Sequence, residues 1–249
     1  MQKRTFQLEN KARGGVYAQI VTDYAQHLNA QYTDGDTRFK TDAQGAYSLT
    51  PLHIAEERNR TQLPACGIGT EEAHVIIDAT AGVGGDAVSF MLGFPHSTVY
   101  ALEPNADRVR MLKHNVAAVG KGARVPTADT HCMQAEFADL FGRLAHLLRA
   151  CTVLYLDPEW GGPAYHNEAQ VHLALPSQSS TAQGATDLVA CVAHALAAGP
   201  QLRAVVLKLP TNVSSVQWEG LHALPGVRAR AFDEWLHGHL GFRTLVLCR

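Results

Sequence analysis

Short apolar runs alternate with longer amphipathic stretches through most of the chain. Runs of β-branched and apolar residues predict strands, and the clear ones are 75–78, 98–103, 152–157, 204–210 and 244–248. A weaker run at 124–126 predicts one more strand, after the second. Helical spacing between these runs is clearest at 106–120, 135–149 and 188–198. Strands that alternate with helices predict a mostly parallel sheet covered on both faces.

The amino-terminal quarter lacks this alternation. Residues 1–30 begin polar and become loosely helical, and residues 31–50 are rich in Thr, Asp, Gly and Gln, which is typical of a loop. We therefore predict a small helical extension with a ligand-contacting loop over 1–60, and an α/β domain over 61–249.

Composition narrows the classes of function. A chain of 249 residues suits one large domain with or without a small appendage. Its formal net charge of -2 argues against a broad basic surface for long nucleic acids, although a local patch for a short charged ligand remains open. Residues 1–15 lack the apolar core of a signal peptide, and no apolar run approaches the ~20 residues that span a bilayer. We expect neither secretion nor a membrane anchor.

Cysteine and histidine do not point to a metal. The five cysteines are scattered without a CxxC spacing, which favours reduced thiols in a cytosolic or nuclear compartment. His237 and His239 form a tempting pair, but neither an HExxH motif nor a Cys/His cluster accompanies them. The sequence therefore predicts no metal site.

A glycine-rich segment after the first strand predicts a nucleoside pocket. Asp78 ends that strand, and Gly82 and Gly84 follow, where a missing side chain lets the backbone approach a ligand. Glu103 ends the next strand, where an acid can accept hydrogen bonds from ribose hydroxyls. We expect Asp129, after the weak third strand, to read an adenine amino group.

Two other interpretations of the same segment remain open. It can be only a tight turn, and Gly82-x-Gly84-x-x-Ala87 also fits the dinucleotide fingerprint. The carboxylate of Asp78 just before the glycines suits the cationic methionine end of S-adenosylmethionine better than a pyrophosphate. The pattern therefore favours S-adenosylmethionine over NAD.

A second cluster follows the strand at 152–157. Asp157, Pro158, Glu159 and Trp160 precede two glycines, at the strand end where open α/β sheets bind ligands. A carboxylate in such a corner can orient an exocyclic amine while the aromatic ring stacks on its base, so that catalysis is mainly positioning. We take Asp157, Pro158 and Trp160 as catalytic candidates. The alternatives are that Trp160 is a core aromatic residue and that Glu159 is a solvated turn residue.

These motifs resemble the trimethylguanosine synthases, a family of RNA cap guanosine-N2 methyltransferases. DPEWGGPAY (157–165) is similar to the family's hallmark, and DATAGVGG (78–85) to its first motif. The segment 40–51 resembles the family's loop before the sheet, and Leu-Pro-x-Asn at 209–212 its late strand-end motif. Four landmarks in the family's order are more specific than any one of them.

The resemblance implies a class I Rossmann-like methyltransferase with a seven-stranded, mostly parallel sheet. By the same resemblance S-adenosylmethionine is the cofactor and a capped RNA is the partner, in the nucleus or the cytoplasm. The residues implied to hold the cofactor are Asp78, Gly82, Gly84, Glu103, Asp129, Ser48 and Thr50. Those implied to bind the cap are Trp160, Lys40, Arg38, Asn212 and Glu159, with Trp160 stacked on 7-methylguanine.

Two positions depart from the family's pattern. Glu159 replaces the second proline of the hallmark, and Thr211 replaces the basic residue that often follows the late Leu-Pro. The expected function is conversion of an m7G cap to di- or trimethylguanosine. The alternatives are N-methylation of another RNA guanine or amine, and a catalytically silent cap- or RNA-binding module. The sequence does not specify protein partners.

Overall fold

The computed structural model describes residues 39–123, 126–176, 185–236 and 239–249. Its main strands are β1 (Val75–Asp78), β2 (Thr98–Glu103), β3 (Asp129–Gln134), β4 (Val153–Leu156), β7 (Ala204–Pro210), β8 (Arg228–Leu236) and β9 (His239–Cys248). A separate antiparallel pair consists of β5 (Ala174–Pro176) and β6 (Ala185–Asp187).

The seven main strands form one sheet in the order β3-β2-β1-β4-β7-β9-β8. The five strands from β3 to β7 are parallel, whereas β9 runs antiparallel to β7 and β8 antiparallel to β9. The predicted class I Rossmann-like, mostly parallel seven-stranded sheet is confirmed. Its parallel strands bring the carboxyl ends of β1, β2, β3 and β4 to one edge, where ligands bind in sheets of this kind.

Helices cover both faces of the sheet. They are α1 (Ala43–Ser48), α2 (Leu52–Glu57), α3 (Gly85–Gly93), α4 (Ala106–Gly122), α5 (Ala145–Ala150), α6 (Leu188–Ala198) and α7 (Ser215–His222). On one face Ile77 packs with Leu148 and Val192 from α5 and α6. On the other face Ile76 packs with Phe90 from α3. Adjacent residues of one strand thus face different cores, as its alternation requires.

Several boundaries differ from the sequence prediction. The third strand of the sheet begins at Asp129, later than the run at 124–126, of which residues 124 and 125 lie outside the described residues. The helix predicted at 135–149 is a 3₁₀ turn, Phe137–Phe141, followed by α5. The pattern missed β8 altogether: polar and apolar residues alternate only over 228–231, and the period then breaks before a register shift at Glu234 and Trp235.

The described part of the amino-terminal region contributes two short helices that lead directly into the α/β domain. Asp42 caps α1, since its side chain accepts from the Gly45 N–H. A π-helical turn, Arg58–Gln62, continues α2 across the predicted division at residue 60. The division into 1–60 and 61–249 stays a prediction.

The expectation of scattered reduced thiols is wrong for one pair. Cys66 and Cys248 are joined by a disulfide, with their Cα atoms 5.6 Å apart. Cys132, Cys151 and Cys191 are free thiols. Over the described ranges, we find no helix with both the length and the apolar character that crossing a membrane requires.

Candidate active site

The glycine-rich loop between β1 and α3 needs glycine at two positions. Gly82 and Gly84 have φ angles of 53° and 100°, which other residues rarely adopt. A Cβ on Gly84 would also lie 2.6 Å from the Cδ1 of Leu112. The loop can therefore lie close against α4 and turn into α3, whose first N–H groups face the carboxyl edge of the sheet.

Asp78 lies at the end of β1 and is fully buried. Its Oδ1 accepts a 3.2 Å hydrogen bond from the Thr80 N–H, while its Oδ2 is buried without a hydrogen-bond partner. Burial, reinforced by the negative charge of Asp86, raises the pKa of the Asp78 carboxyl well above its usual range. An unpartnered buried oxygen is costly unless a donor arrives, so Asp78 fits a site that is completed by a ligand.

Glu103 ends the neighbouring strand and is also buried. Its Oε1 accepts a 2.7 Å hydrogen bond from the Asn105 N–H, and Asn105 in turn caps α4. Burial raises the pKa of Glu103, and the hydrogen bond from the Asn105 N–H opposes that rise. The structure therefore places Asp78 and Glu103 on adjacent strands at the same edge, as predicted.

The prediction that Asp129 follows the third strand is wrong. Asp129 begins β3 and lies level with Thr98, whereas the far end of β3, at Gln134, lies level with Glu103. At ~3.3 Å per residue this leaves Asp129 roughly 17 Å from the carboxyl edge. Its carboxylate is 74% exposed and 3.0 Å from His131.

Glu136 is the acid that follows β3 at the correct edge. It caps the 3₁₀ turn and exchanges hydrogen bonds with Asp139, whose carboxylate accepts from the Glu136 N–H at 3.0 Å. The signal that would have found it is similar to the one that located Glu103, which is an acid at or just beyond the carboxyl end of a strand. It was missed because the third strand was placed too early.

A buried ion pair supports the start of α3. Asp86 pairs with Arg58, and the Thr50 hydroxyl donates to the other Asp86 oxygen at 2.8 Å. Burial would raise the pKa of Asp86, but the charges of Arg58 and Lys208 hold it below its usual value. The hydroxyl of Thr50, which we predicted to line the cofactor pocket, therefore already donates its hydrogen bond to Asp86.

Asp157 follows β4 at the same edge of the sheet. Its N–H donates to the Thr80 hydroxyl at 2.7 Å, and its Oδ2 lies 2.8 Å from the ammonium of Lys208. Lys208 also donates to the Ser48 carbonyl at 2.7 Å. Ser48 thus contacts this corner through its backbone, and its side chain is exposed.

Sequence reasoning missed Lys208. It lies in β7, whose other residues are apolar and whose seven positions are all buried. A lysine within an apolar central strand is itself a signal, because lysine is almost never fully buried unless it is paired. Burial raises the pKa of its partner Asp157 to about 6, and the Lys208 charge opposes that rise.

Trp160 belongs to an aromatic cluster beside this ion pair. Its ring centroid lies 5.2 Å from that of Tyr165 and 6.4 Å from that of Phe242. The Lys208 ammonium lies 5.4 Å from the Trp160 ring centroid, within cation–π range. The Trp160 indole N–H is buried without a hydrogen-bond partner.

The rest of the corner is held by polar contacts. Pro158 is buried and Glu159 is exposed. The Gln44 amide of α1 donates to the Glu159 carboxylate at 2.8 Å. The side-chain amide of Asn212 donates to the carbonyls of Tyr165, at 3.0 Å, and Glu168, at 2.9 Å. In this structure Asn212 therefore stabilises the backbone of the segment that follows Trp160.

Residues 39–50, which we call the strap, connect the two halves of the site. At one end Asn115 of α4 exchanges hydrogen bonds of 2.7 and 2.8 Å with the backbone of Lys40. Arg108 of α4 pairs with Asp42 at 3.0 Å. The Lys40 side chain is exposed, and Arg38 lies outside the described residues. The predicted contacts of Lys40 and Arg38 with cap phosphates stay predictions.

The fold is shared with known methyltransferases. The human methyltransferase 10 domain containing protein superposes with a TM-score of 0.58 at 11% identity, over 93% of this chain and 97% of that one. A putative methyltransferase from Porphyromonas gingivalis gives a TM-score of 0.53 at 14% identity, over 81% of this chain and 41% of that one. At these identities the likeness concerns the fold.

Sequence comparison is more specific. Trimethylguanosine synthase of Schizosaccharomyces pombe is 27% identical over 124 residues, which are 50% of this chain and 47% of that protein. Release factor glutamine methyltransferase of Chlorobaculum tepidum is 27% identical over 135 residues, 52% of this chain and 46% of that protein. The chain thus spans about half the length of these curated relatives.

The family model described as RNA cap guanine-N2 methyltransferase matches residues 73–218. This range holds both halves of the site, from β1 with Asp78 to β4 with Asp157 and β7 with Lys208. Because the match covers more than half of the sequence, the chain belongs to the RNA cap guanine-N2 methyltransferase family.

Proposed function

We propose that the protein is an S-adenosylmethionine-dependent RNA cap guanosine-N2 methyltransferase that converts m7G caps to di- or trimethylguanosine. The observation that carries the proposal is the juxtaposition of the glycine-rich loop with the Asp157–Trp160 corner. Thr80 of the loop accepts the Asp157 N–H at 2.7 Å, so the two halves are in direct contact.

The cofactor half fits S-adenosylmethionine. Asp78 offers a buried oxygen without a partner to a cationic amino acid end, and Gly82 leaves open space at the backbone of the same loop. Glu103 would accept from the ribose, and Glu136, in place of Asp129, would contact the adenine. When bound, this cofactor supplies an activated methyl group on a sulfonium.

The chain's own residues would then orient the acceptor. Asp157 would accept a hydrogen bond from the guanine N2 amine and direct its lone pair toward the methyl group. Trp160 would stack on the base, and Pro158 fixes the backbone between them. The electron-rich face of Trp160, with the Asp157 carboxylate in the same corner, would favour the cationic 7-methylguanine.

The direct test is a methyl-transfer assay with m7G cap analogue, unmethylated cap and GTP side by side. We expect transfer to the m7G cap, with product mass rising by one or two methyl groups. Equal transfer to GTP would contradict cap recognition while keeping methyl transfer to guanine. Cofactor binding without transfer to any of the three would support a silent binding module.

A second candidate acceptor is a protein side-chain amide. The observation that favours it is the 27% identity to a release factor glutamine methyltransferase, which equals the identity to the cap enzyme. Both acceptors are planar nitrogens that a carboxylate corner and an aromatic ring can hold. A glutamine-containing release factor peptide in the same assay separates the two, since we expect no transfer to it.

A further inference from the structure

Lys208 is a lysine in a place where lysine is costly. Its side chain is 6% exposed within the central strand β7. Desolvating an ammonium is repaid only by close partners of good geometry. Its ammonium donates to the Asp157 carboxylate at 2.8 Å and to the Ser48 carbonyl at 2.7 Å. Such a residue is expected where its contacts do something that an apolar residue cannot.

The two oxygens of the Asp157 carboxylate differ in their contacts. Oδ2 is bound by the ammonium, and within the described residues no hydrogen bond to Oδ1 is found. The Asp157 backbone is fixed by Thr80, while the rings of Trp160 and Phe242 lie 5.4 and 5.3 Å from the ammonium. Lys208 thereby fixes one oxygen of the Asp157 carboxylate, in the same corner as the Trp160 ring on which we propose that the base stacks.

We propose that Lys208 is a positioning residue, which holds Asp157 by one oxygen so that the other receives the substrate amine, and which ties the strap to that corner through Ser48. This inference rests on the proposed function. It assigns to Lys208 no contact with the base or the cofactor.

The surrounding charges make the role of Lys208 specific. Asp157 also experiences the negative charge of Asp86, and Asp78 and Tyr155 lie in the same buried cluster, with Arg58 as the other cation. Burial and Asp86 raise the pKa of Asp157, and Lys208 lowers it. Without Lys208, Asp157 would be protonated at a higher pH and would lose its capacity to accept the amine hydrogen bond there.

The first experiment follows kcat against pH in Lys208→Met. A misplaced acceptor should lower kcat by about 10²-fold. The acid limb, near pH 6 in the parent, should move up by about one unit or more. KM for cofactor and cap analogue should rise by only a few-fold, because Lys208 touches neither ligand and its loss frees the strap at Ser48 alone. Lys208→Arg should return the acid limb toward the parent's position.

Lys121→Met is the matched control, because Lys121 is exposed in the last turn of α4 and should change nothing. If Lys208→Met does not fold, Lys208→Gln carries the test, since it loses the charge but keeps a hydrogen-bond donor. A folded, uncharged variant with the parent's kcat or the parent's acid limb overturns the inference.

A second measurement needs no turnover. The ¹³C carboxyl resonance of Asp157, identified by its absence in Asp157→Asn, reports the protonation of this group directly. Its titration midpoint should rise by about one unit in Lys208→Met. An unchanged midpoint overturns the inference. A parent inactive on every cap refutes the proposed function, while this titration still decides whether Lys208 controls Asp157.

Discussion

The two halves of the site hold their carboxylates by different means. In the cofactor half, Asp78 and Glu103 accept from backbone N–H groups of Thr80 and Asn105. In the substrate corner, Asp157 is paired with a buried ammonium instead. Backbone donors leave the first two acids to be completed by a ligand, whereas Lys208 completes half of Asp157 before any ligand binds. The corner is therefore more preorganised, and its side chains should be more sensitive to substitution.

The largest effect should follow from Asp157→Asn. The amide no longer offers a charged acceptor, so turnover should fall by about 10²-fold while cofactor affinity stays near the parent's. Isothermal titration with the cofactor and a single-turnover methyl-transfer assay measure the two separately. An unchanged turnover number would remove Asp157 from the chemistry.

The same substitution should also affect stability. Asp157→Asn leaves the Lys208 ammonium buried without its counter-ion, and breaking a buried pair from one side costs about 3 kcal/mol. Urea unfolding gives this difference in the free energy of unfolding. The double variant Asp157→Asn with Lys208→Met should recover most of it, and a double variant as unstable as the single one would contradict the pairing.

The next effect concerns the cofactor half. Glu103→Gln should weaken cofactor binding by roughly 1.5–3 kcal/mol, about 10- to 150-fold in Kd, because a charged acceptor is lost. Asp129→Asn is the matched control: it removes an acid from the opposite edge of the same sheet and should leave Kd unchanged. Calorimetry that finds the larger loss for Asp129 would reverse our correction.

Trp160 should have an effect of about 0.5–2 kcal/mol, expressed as the preference for m7GTP over GTP. This preference arises because the cationic base is attracted to the indole face, so Trp160→Phe should keep part of it and Trp160→Ala little. Competition binding with both nucleotides measures it without using tryptophan emission. Equal affinities in the parent would exclude cap recognition.

The sequence predicts the sheet and the site to different depths. Strands such as β4, Val153–Leu156, are predictable because their apolar runs are uninterrupted, whereas in β8 polar and apolar residues alternate only over 228–231 before the period breaks. Asp78, Glu103 and Asp157 are predictable because Asp78 and Glu103 end such strands and Asp157 directly follows one. Asp129 was assigned to the wrong edge of the sheet because the third strand was predicted a few residues too early. The partnership of Lys208 with Asp157 depends on which strands are neighbours, which one strand's pattern does not contain.

The smallest effect should come from Glu159, the position where the family's hallmark has proline. In the structure its carboxylate accepts from Gln44, which fastens the strap to the corner at the surface. Exposed contacts of this kind contribute about 0–1 kcal/mol. Glu159→Gln keeps an acceptor for Gln44 but loses the charge, whereas Gln44→Ala keeps the charge but loses the contact. If Glu159 acts by charge, only Glu159→Gln should reduce the preference for m7GTP, by a few-fold. If it acts by fastening the strap, both variants that break the contact, Gln44→Ala and Glu159→Pro, should raise the KM for cap and cofactor together. We expect the second pattern, because Glu159 is exposed and already engaged by Gln44, whereas Asp157 supplies a carboxylate in the same corner. A reduced m7GTP preference in Glu159→Gln alone would assign Glu159 to base recognition instead.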